Sequence, residues 1–262
     1  MNTDETLISI RDLSFAYGDK EILSHINLDV AEGIVLGIVG PNGGGKTTLL
    51  KILLGLLKGY SGEFSIRCTY DPQGKKIRHS CLGYVPQKSA INLRYPATIH
   101  DAVEMGLYGK TGIMGPNRDE KDYIDWLLQH TGIAGLRDRS ISEVSGGQLQ
   151  RALIARALVT KPALLLMDEP LSGIDRTGVL QFVELLMNLK NLLNLTVVLV
   201  SHDFQAVALC SNRVACLNRV IHYHDNPANL TVEEISQVYS CSFEAFHGVE
   251  ESMRSRQAEK NA

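Results

Sequence analysis

The sequence has few cysteines, no long hydrophobic run and no surplus of basic residues. Its five cysteines are dispersed, odd in number and without a C-x-x-C pair, which argues against a disulfide scaffold or a zinc knuckle and favours a reducing, cytosolic compartment. The longest apolar runs have the length of a strand, far below the roughly 18 residues of a membrane span. Any part that crosses a membrane is therefore expected in another chain. The acidic start of the sequence does not predict a secretory signal.

The balance of charges excludes further classes of protein. There are 26 basic and 29 acidic residues, a net charge of −3, so the chain is not a disordered polyelectrolyte and gives no reason to expect nucleic-acid binding. Hydrophobic residues make up 44% of the 262, which is enough for a core of ordinary size. We expect a single domain over residues 1–250 and a polar, disordered tail over 251–262.

The hydrophobic pattern predicts an α/β fold. Residues 7–11 and 26–30 alternate apolar and polar, as strands with one solvated face do, and the apolar run 34–39 predicts a strand covered on both faces. Between about 90 and 160 only helical periodicity is found, which predicts a helical lobe inserted in the sheet domain. Further strands are expected at 62–67, 82–85, 163–167, 196–201 and 213–218, and helices at 46–57, 98–108, 119–130, 147–159, 176–190 and 203–210.

A glycine-rich loop separates the strand 34–39 from the next helix. Its residues match the pattern G-x-x-x-x-G-K-[ST]: Gly40, Pro41, Asn42, Gly43, Gly44, Gly45, Lys46 and Thr47. Glycines let the backbone turn its N–H groups toward an anion, and the helix that follows directs its positive end at the same point. Lys46 supplies a charge for the outer phosphates, and the Thr47 hydroxyl is a hard oxygen ligand for Mg²⁺. The loop therefore predicts a phosphate site.

Two carboxylates follow the apolar strand 163–167. Asp168 and Glu169 are expected at the carboxyl end of that strand, where open α/β sheets bind their ligands. Because successive side chains of a strand alternate in direction, the two residues should have different roles. One can stand behind Mg²⁺ while the other faces an attacking water as general base.

A serine-glycine turn precedes the helix 147–159. The turn is Ser145, Gly146, Gly147 and Gln148. Ser145 can cap the helix, and the two glycines leave backbone donors unshielded, which predicts a second anion-binding helix end. Residue chemistry alone does not explain why one chain needs two such sites.

Together these motifs resemble the ATP-binding subunit of ABC transporters over nearly the whole chain. Besides the three motifs above, the resemblance rests on Gln87 after a strand, on Ser172-Gly-Ile-Asp175, on His202, and on Tyr17 about 29 residues before the loop lysine. It implies a P-loop ABC-type domain with a mostly parallel core sheet, an N-terminal antiparallel β part and the inserted helical lobe. It also implies ATP and Mg²⁺ as the bound groups.

The resemblance assigns a role to each remaining residue and explains the two anion sites. Two subunits of this family dock head to tail, and each ATP lies between the glycine loop of one and the serine-glycine turn of the other. By this likeness Tyr17 stacks on adenine, Gln87 completes the Mg²⁺ and water shell, Glu169 polarises water, His202 holds the γ-phosphate and Asp175 ties the subunits together.

Two positions depart from the family pattern. The usual leucine before Ser145 is Val144, a conservative change that we expect to be neutral. The turn Ser172-Gly-Ile-Asp175 replaces a commoner alanine-leucine pair, and Gly173 is expected to loosen that loop without removing activity.

Within the family the chain is similar to subunits of zinc, manganese and iron importers. The likeness rests on Gly40 to Thr48 and on the stretch from Tyr84-Val-Pro-Gln-Lys88 through Asn92-Leu-Arg-Tyr-Pro-Ala-Thr98 to Met105-Gly106, where the family docks its membrane permease. The implied partners are a second ATPase subunit, the permease and an extracytoplasmic metal-binding protein. The implied location is peripheral, on the cytoplasmic face of the membrane.

Three other functions compete with divalent-metal import. The first is an ATPase that serves chelated iron, haem or another solute. The second is a soluble ABC-type ATPase acting on DNA or ribosomes, which the single ATPase unit and the acidic net charge disfavour. The third is a module that holds ATP without hydrolysis, against which Glu169 and His202 argue. His222 and His224 are interpreted as an exposed strand end and not as a metal sensor.

Overall fold

The computed structural model describes residues 6–67, 81–112 and 115–227, so the predicted tail at 251–262 lies outside the described residues. The strands are β1 (Thr6–Tyr17), β2 (Lys20–Ala31), β3 (Val35–Val39), β4 (Ser61–Ile66), β5 (Leu82–Val85), β6 (Leu164–Asp168), β7 (Thr196–Ser201), β8 (Arg213–Asn218) and β9 (Val220–Asp225). The helices are α1 (Lys46–Leu53), α2 (Ile99–Glu104), α3 (Tyr108–Thr111), α4 (Arg118–His130), α5 (Gly146–Leu158), α6 (Arg176–Leu193) and α7 (Phe204–Cys210).

A six-stranded sheet forms the centre of the fold. Its order is β5-β6-β7-β3-β8-β9, and all neighbours are parallel except β8 and β9. Every residue of β3 is buried, as the apolar run predicts. The carboxyl ends of β3, β6 and β7 lie side by side and place the predicted phosphate loop next to Asp168 and Glu169.

A second sheet is antiparallel and three-stranded, in the order β2-β1-β4. The two long strands extend well beyond the predicted segments 7–11 and 26–30. Asp12 and His25 both adopt left-handed backbone conformations, with φ of 51° and 50°, and the register shifts between Ile10 and Leu13. These irregularities interrupt the alternation of side chains, which is why the sequence pattern reveals only one end of each strand.

The two faces of the central sheet belong to two hydrophobic clusters. Val35 and Val39 of β3 pack with the inserted helices, α6 and α7, whereas Leu36 and Ile38 pack with α1 and the antiparallel sheet. Helices α2 to α5 and the connecting 3₁₀ turns all lie between β5 and β6, and they form the helical lobe. These observations confirm the predicted fold class.

Three helix predictions need correction. The helix predicted over 176–190 is α6, which continues to Leu193. The helix predicted over 46–57 stops at Leu53, because Gly55 (φ 71°) and not Gly59 supplies the left-handed closing residue. There the N–H of Leu56 donates to the carbonyl of Lys51 at 2.9 Å. The helix predicted over 98–108 is α2 followed by a 3₁₀ turn at Met105–Leu107 and the short α3.

The expectation that the cysteines are reduced holds for two of them and is wrong for a third. Cys210 and Cys216 are buried, reduced thiols, whereas Cys81 is disulfide-bonded. Sequence spacing does not reveal which thiols a fold brings together, so a single bridge escapes such reasoning. Within the part of the chain that the structure describes, no helix is long and apolar enough to cross a membrane.

Candidate nucleotide site

The glycine loop lies between β3 and α1 and is held tightly from behind. A Cβ placed on Gly40 would lie 1.9 Å from the carbonyl oxygen of Leu217, at the end of β8. The carbonyl of Gly44 accepts a hydrogen bond from the N–H of Arg219 at 3.1 Å. Gly45 has φ of 96° and precedes the first residue of α1. Glycine is therefore required by close approach at Gly40 and by backbone conformation at Gly45.

Lys46 is the first residue of α1 and folds back into the loop. Its Nζ donates to the carbonyls of Gly40 at 2.8 Å and of Pro41 at 3.0 Å, and it lies 3.9 Å from Oε1 of Glu169. Burial lowers the pKa of Lys46, while the nearby carboxylates of Glu169 and Asp168 act in the opposite direction. The ammonium thus lies inside the predicted phosphate site, and among the described residues its hydrogen-bond acceptors are loop carbonyls.

Thr47 and Asp168 bring two oxygen groups together. Thr47 Oγ1 donates to Asp168 Oδ1 at 3.0 Å across the gap between α1 and β6. Burial raises the pKa of Asp168, and the hydrogen bond from Thr47 opposes that shift. A hydroxyl and a carboxylate at this distance form an oxygen-rich corner of the kind that hard cations prefer.

Glu169 follows the last residue of β6, and its hydrogen-bond partners differ from those of Asp168. Its Oε2 contacts Nδ1 of His202 at 2.8 Å and accepts a longer hydrogen bond, 3.4 Å, from the hydroxyl of Ser201. The carboxylate is buried whereas half of the His202 side chain is exposed. The backbone of Glu169 is left-handed, with φ of 48°, and precedes Pro170, an arrangement that costs about 1–2 kcal/mol.

The serine-glycine turn begins α5 on the helical lobe. The N–H of Gln148 donates to Ser145 Oγ at 3.3 Å, and the N–H of Ser145 donates to Gln148 Oε1 at 2.9 Å, which forms a capping box. Ser145, Gly146 and Gly147 are exposed. In the described part of the chain, no hydrogen bond joins this turn to the glycine loop.

Three other predicted site residues form no hydrogen bond with the glycine loop in the described ranges. Gln87 is exposed just after β5, and Tyr17 is 49% exposed at the end of β1. Asp175 caps α6 by accepting a hydrogen bond from the N–H of Gly178 at 2.9 Å. Of the remaining loop residues, Asn42 and Gly43 are exposed, and Thr48 is half-buried.

The sequence reasoning missed several residues that shape this site. Ser201 is buried, and its Oγ also accepts a hydrogen bond from the N–H of Asp203 at 3.1 Å. Leu217 and Arg219 hold the loop through backbone groups, which leave no trace in side-chain patterns. Lys88 lies close to Gly146. The one sequence signal for a role of Lys88 in the site is its position directly after Gln87.

The geometry gathers one ammonium, two carboxylates, an imidazole and two hydroxyls at the carboxyl edge of a parallel sheet. The fold and this edge define a P-loop nucleotide-binding protein of the α/β class.

Comparison with known proteins identifies the family. Residues 23–172 match the family model described as ABC transporter. A zinc transport system ATP-binding protein of Treponema pallidum is 40% identical over 234 residues, which cover 88% of this chain and 86% of that protein. A zinc uptake system ATP-binding protein of Listeria monocytogenes is 39% identical over 217 residues, covering 82% and 84%. A solved inward-facing ABC transporter, described as of metal-chelate type, superposes with a TM-score of 0.77 at 27% identity, covering 89% and 88%.

The chain therefore belongs to the ABC transporter family and is one of its ATP-binding subunits. Its activity is the ATPase activity that this family couples to transport. The relatives named above are ATP-binding subunits of multi-component transport systems.

Proposed function

We propose that this chain is the ATPase motor of a transporter that imports a divalent metal ion such as zinc, manganese or iron. The observation that supports the metal is the likeness to zinc transport and zinc uptake subunits, at 39–40% identity over more than four fifths of each chain. The metal ion is cargo and is not expected to touch this subunit.

The phosphates of ATP would lie in the loop Gly40–Gly45, with Lys46 on the outer phosphates and with Thr47 and Thr48 at the start of α1. Tyr17 would stack on adenine. The oxygen-rich corner fits Mg²⁺: Thr47, Asp168 and Gln87 would hold it, directly or through water. When bound, Mg²⁺ would neutralise charge on the outer phosphates.

Glu169 is proposed as the base of hydrolysis. The attacking water gives a proton to Glu169 as its oxygen bonds to the γ-phosphorus, and the bond from that phosphorus to the bridging oxygen of ADP breaks. His202 would hold the γ-phosphate with the ring edge that faces away from Glu169. The contacts of Glu169 with His202 and Ser201 support this role because they fix its carboxylate before ATP arrives.

The composite ATP site is proposed to form between two copies of the chain. Residues Ser145, Gly146, Gly147 and Gln148 of one copy would bind the γ-phosphate held by the loop of its partner, and Asp175 would join the two copies. The exposure of that turn, with unshielded N–H groups at a helix start, supports this arrangement. We further propose that residues 1–250 form a single ATPase domain, with the lobe at about 90–160.

The permease is proposed to dock beside the Gln87 loop on the helical lobe. Leu93, Tyr95 and Tyr108 are large apolar residues that remain 43–54% exposed there. A nearby cavity of about 260 Å³ is lined by Met105 and Arg156 among others. Burial lowers the pKa of Arg156, and no ion pair with it is formed in the described ranges, so an acidic group of the permease fits this cavity.

This docking would place the subunit peripherally on the cytoplasmic face of the membrane. An extracytoplasmic metal-binding protein would deliver the cargo on the other side. No nucleic acid is proposed as a partner.

The test is growth and metal content of a strain lacking this gene under separate zinc, manganese and iron limitation. We expect one metal alone to restore growth, and we expect the wild-type gene, but not Lys46→Ala, to restore metal uptake. Lys121→Ala, an exposed lysine of α4, is the matched control and should restore uptake fully. A normal metal content in the deletion strain would contradict the proposal while leaving the ATPase assignment intact.

A chelated metal, such as haem or chelated iron, is the second candidate cargo. The likeness to the transporter described as of metal-chelate type favours it. Rescue of the deletion strain by a chelate but by none of the free ions would select this alternative.

A further inference from the structure

Lys88 joins two motifs within one subunit. It follows Gln87 and begins the 3₁₀ turn Lys88–Ala90, and its side chain crosses to the start of α5. A Cβ placed on Gly146 would lie 3.8 Å from Nζ of Lys88. The side chain is half-buried, and no acidic partner for it is found in the described part of the chain.

This position is electrostatically unfavourable for an ammonium group. The start of a helix carries the equivalent of roughly half a positive charge, so it repels Lys88. No carboxylate of the described residues forms an ion pair with Lys88 that would offset this repulsion. A long, flexible side chain could turn into water instead. An anion bound at the turn would convert this repulsion into attraction.

We propose that Lys88 is a further ATP-binding residue that acts across the subunit interface, on the terminal phosphate bound by the partner subunit. The inference rests on the proposed head-to-tail dimer. Lys88 adds a full charge to the dipolar N–H groups of the turn at Ser145–Gln148. Gln87 and Lys88, adjacent on one loop, would then serve the two different ATP molecules of the dimer.

The test measures ATP-dependent dimerisation of the purified subunit without permease. Glu169→Gln is the parent, since it should retain ATP. Lys88→Met removes the charge and keeps the length of the side chain. A charge-assisted hydrogen bond is worth about 1.5–3 kcal/mol, so each site should lose at least about tenfold in affinity, and the dimerisation constant, with two sites, about hundredfold.

The control variants distinguish the loss of positive charge at Lys88 from a general loss of folding. Lys88→Arg should restore most of the dimer, and Lys121→Met should match the parent. Titration with a fluorescent ATP analogue at low protein concentration should give the parent's affinity for Lys88→Met, because the lysine acts only on the partner's nucleotide. Lys88→Gln is a second neutral variant should the methionine variant fold poorly.

Two results would overturn the inference, and they differ. If Lys88→Met dimerises with ATP as readily as its parent, Lys88 has no role at the interface while the proposed dimer stands. If the parent itself stays monomeric at saturating ATP, the proposed dimer and this inference both fail.

Discussion

The carboxylate of Glu169 is held by neighbours that carry the opposite charge or form hydrogen bonds with it. His202 and Ser201 contact one carboxylate oxygen, and the ammonium of Lys46 lies 3.9 Å from the other. Its strained, left-handed backbone persists because the surrounding sheet fixes it. A carboxylate that is fixed before ATP arrives needs no rearrangement to accept a proton from water.

The first residue-scale prediction is that Glu169→Gln abolishes turnover but preserves ATP binding. Glutamine keeps the shape and the hydrogen bond to His202 but cannot take a proton, so hydrolysis should fall by about 10²–10⁴-fold. Release of phosphate and retention of radiolabelled ATP after gel filtration are the two measurements. Glu63→Gln, at an exposed position of β4, is the control and should hydrolyse normally. Turnover within a few-fold of wild type would remove Glu169 from the role of base.

Most of the chemistry at this scale is predictable from sequence, because side-chain types report it. Residue types at fixed spacing predict phosphate binding at the glycine loop and activation of water at Asp168 and Glu169. Ser201 and the carbonyl of Leu217 were missed because their contribution depends on a neighbouring strand that is distant in sequence. Gly173 has φ of 70°, so its backbone conformation favours glycine, and the expectation that it loosens the loop stays a prediction.

At the scale of elements, the β8–β9 hairpin acts as a backing for the glycine loop. Its turn gives the Arg219 N–H to Gly44 and accepts at the Arg219 carbonyl from the Ser24 N–H of β2 at 2.8 Å. The loop is therefore held by a hairpin that lies far from it in the sequence, and β2 in turn holds that hairpin.

This packing predicts that Gly40→Ala damages the loop. The new methyl group would meet the Leu217 carbonyl at 1.9 Å, and no side-chain rotation can relieve a clash with backbone. We expect a loss of about 1–3 kcal/mol in stability and at least a tenfold weaker affinity for ATP, measured by thermal unfolding and by titration with a fluorescent ATP analogue.

Gly109→Ala is the matched control for that change. Gly109 lies in α3, and a Cβ there meets nothing within 4 Å. Alanine in a helix should be neutral or stabilising by up to about 1 kcal/mol. If the two alanine variants have the same stability and the same affinity for ATP, the Leu217 carbonyl does not approach Gly40 as closely as described.

Helices and strands were predicted well where apolar residues repeat with one regular spacing, and poorly where that spacing is interrupted. The strand β7 was predicted with its observed bounds, and α4 and α5 each within one residue, because their apolar patterns are regular. The strands β1 and β2 were recognised only in part, since Asp12 and His25 insert left-handed residues that reset the alternation. The end of α1 was misjudged because either Gly55 or Gly59 could close a helix, and sequence spacing does not choose between them.

At the scale of the whole molecule, the nucleotide site joins the two hydrophobic clusters. β3 contributes alternate residues to both clusters and leads into the glycine loop. β6 does the same, with Leu165 and Met167 on one face and Leu164 and Leu166 on the other, and leads into Asp168. A ligand that bridges the ends of these two strands should therefore stabilise the entire described fold and not a local loop.

The prediction at this scale is a global thermal shift on binding ATP with Mg²⁺. At a ligand concentration of a hundred times Kd the stabilisation is about 2.7 kcal/mol, and each kcal/mol raises Tm by about 2–4 °C in a chain of similar size. The Tm should therefore rise by roughly 5–10 °C, with near-ultraviolet circular dichroism and tryptophan fluorescence giving the same midpoint. A shift in one probe only would show that ATP orders a single lobe.

Lys46→Ala separates binding from fold in the same experiment. Without nucleotide it should lower the stability by about 1–3 kcal/mol, because the carbonyls of Gly40 and Pro41 lose their donor. With ATP it should show no rise at a concentration that saturates wild type. Lys121→Ala should keep the full rise.

Glu169→Gln should show a larger rise in Tm than wild type as protein concentration increases, because retained ATP couples unfolding to separation of the proposed dimer. A Tm shift that is independent of protein concentration would mean that ATP binds each subunit alone.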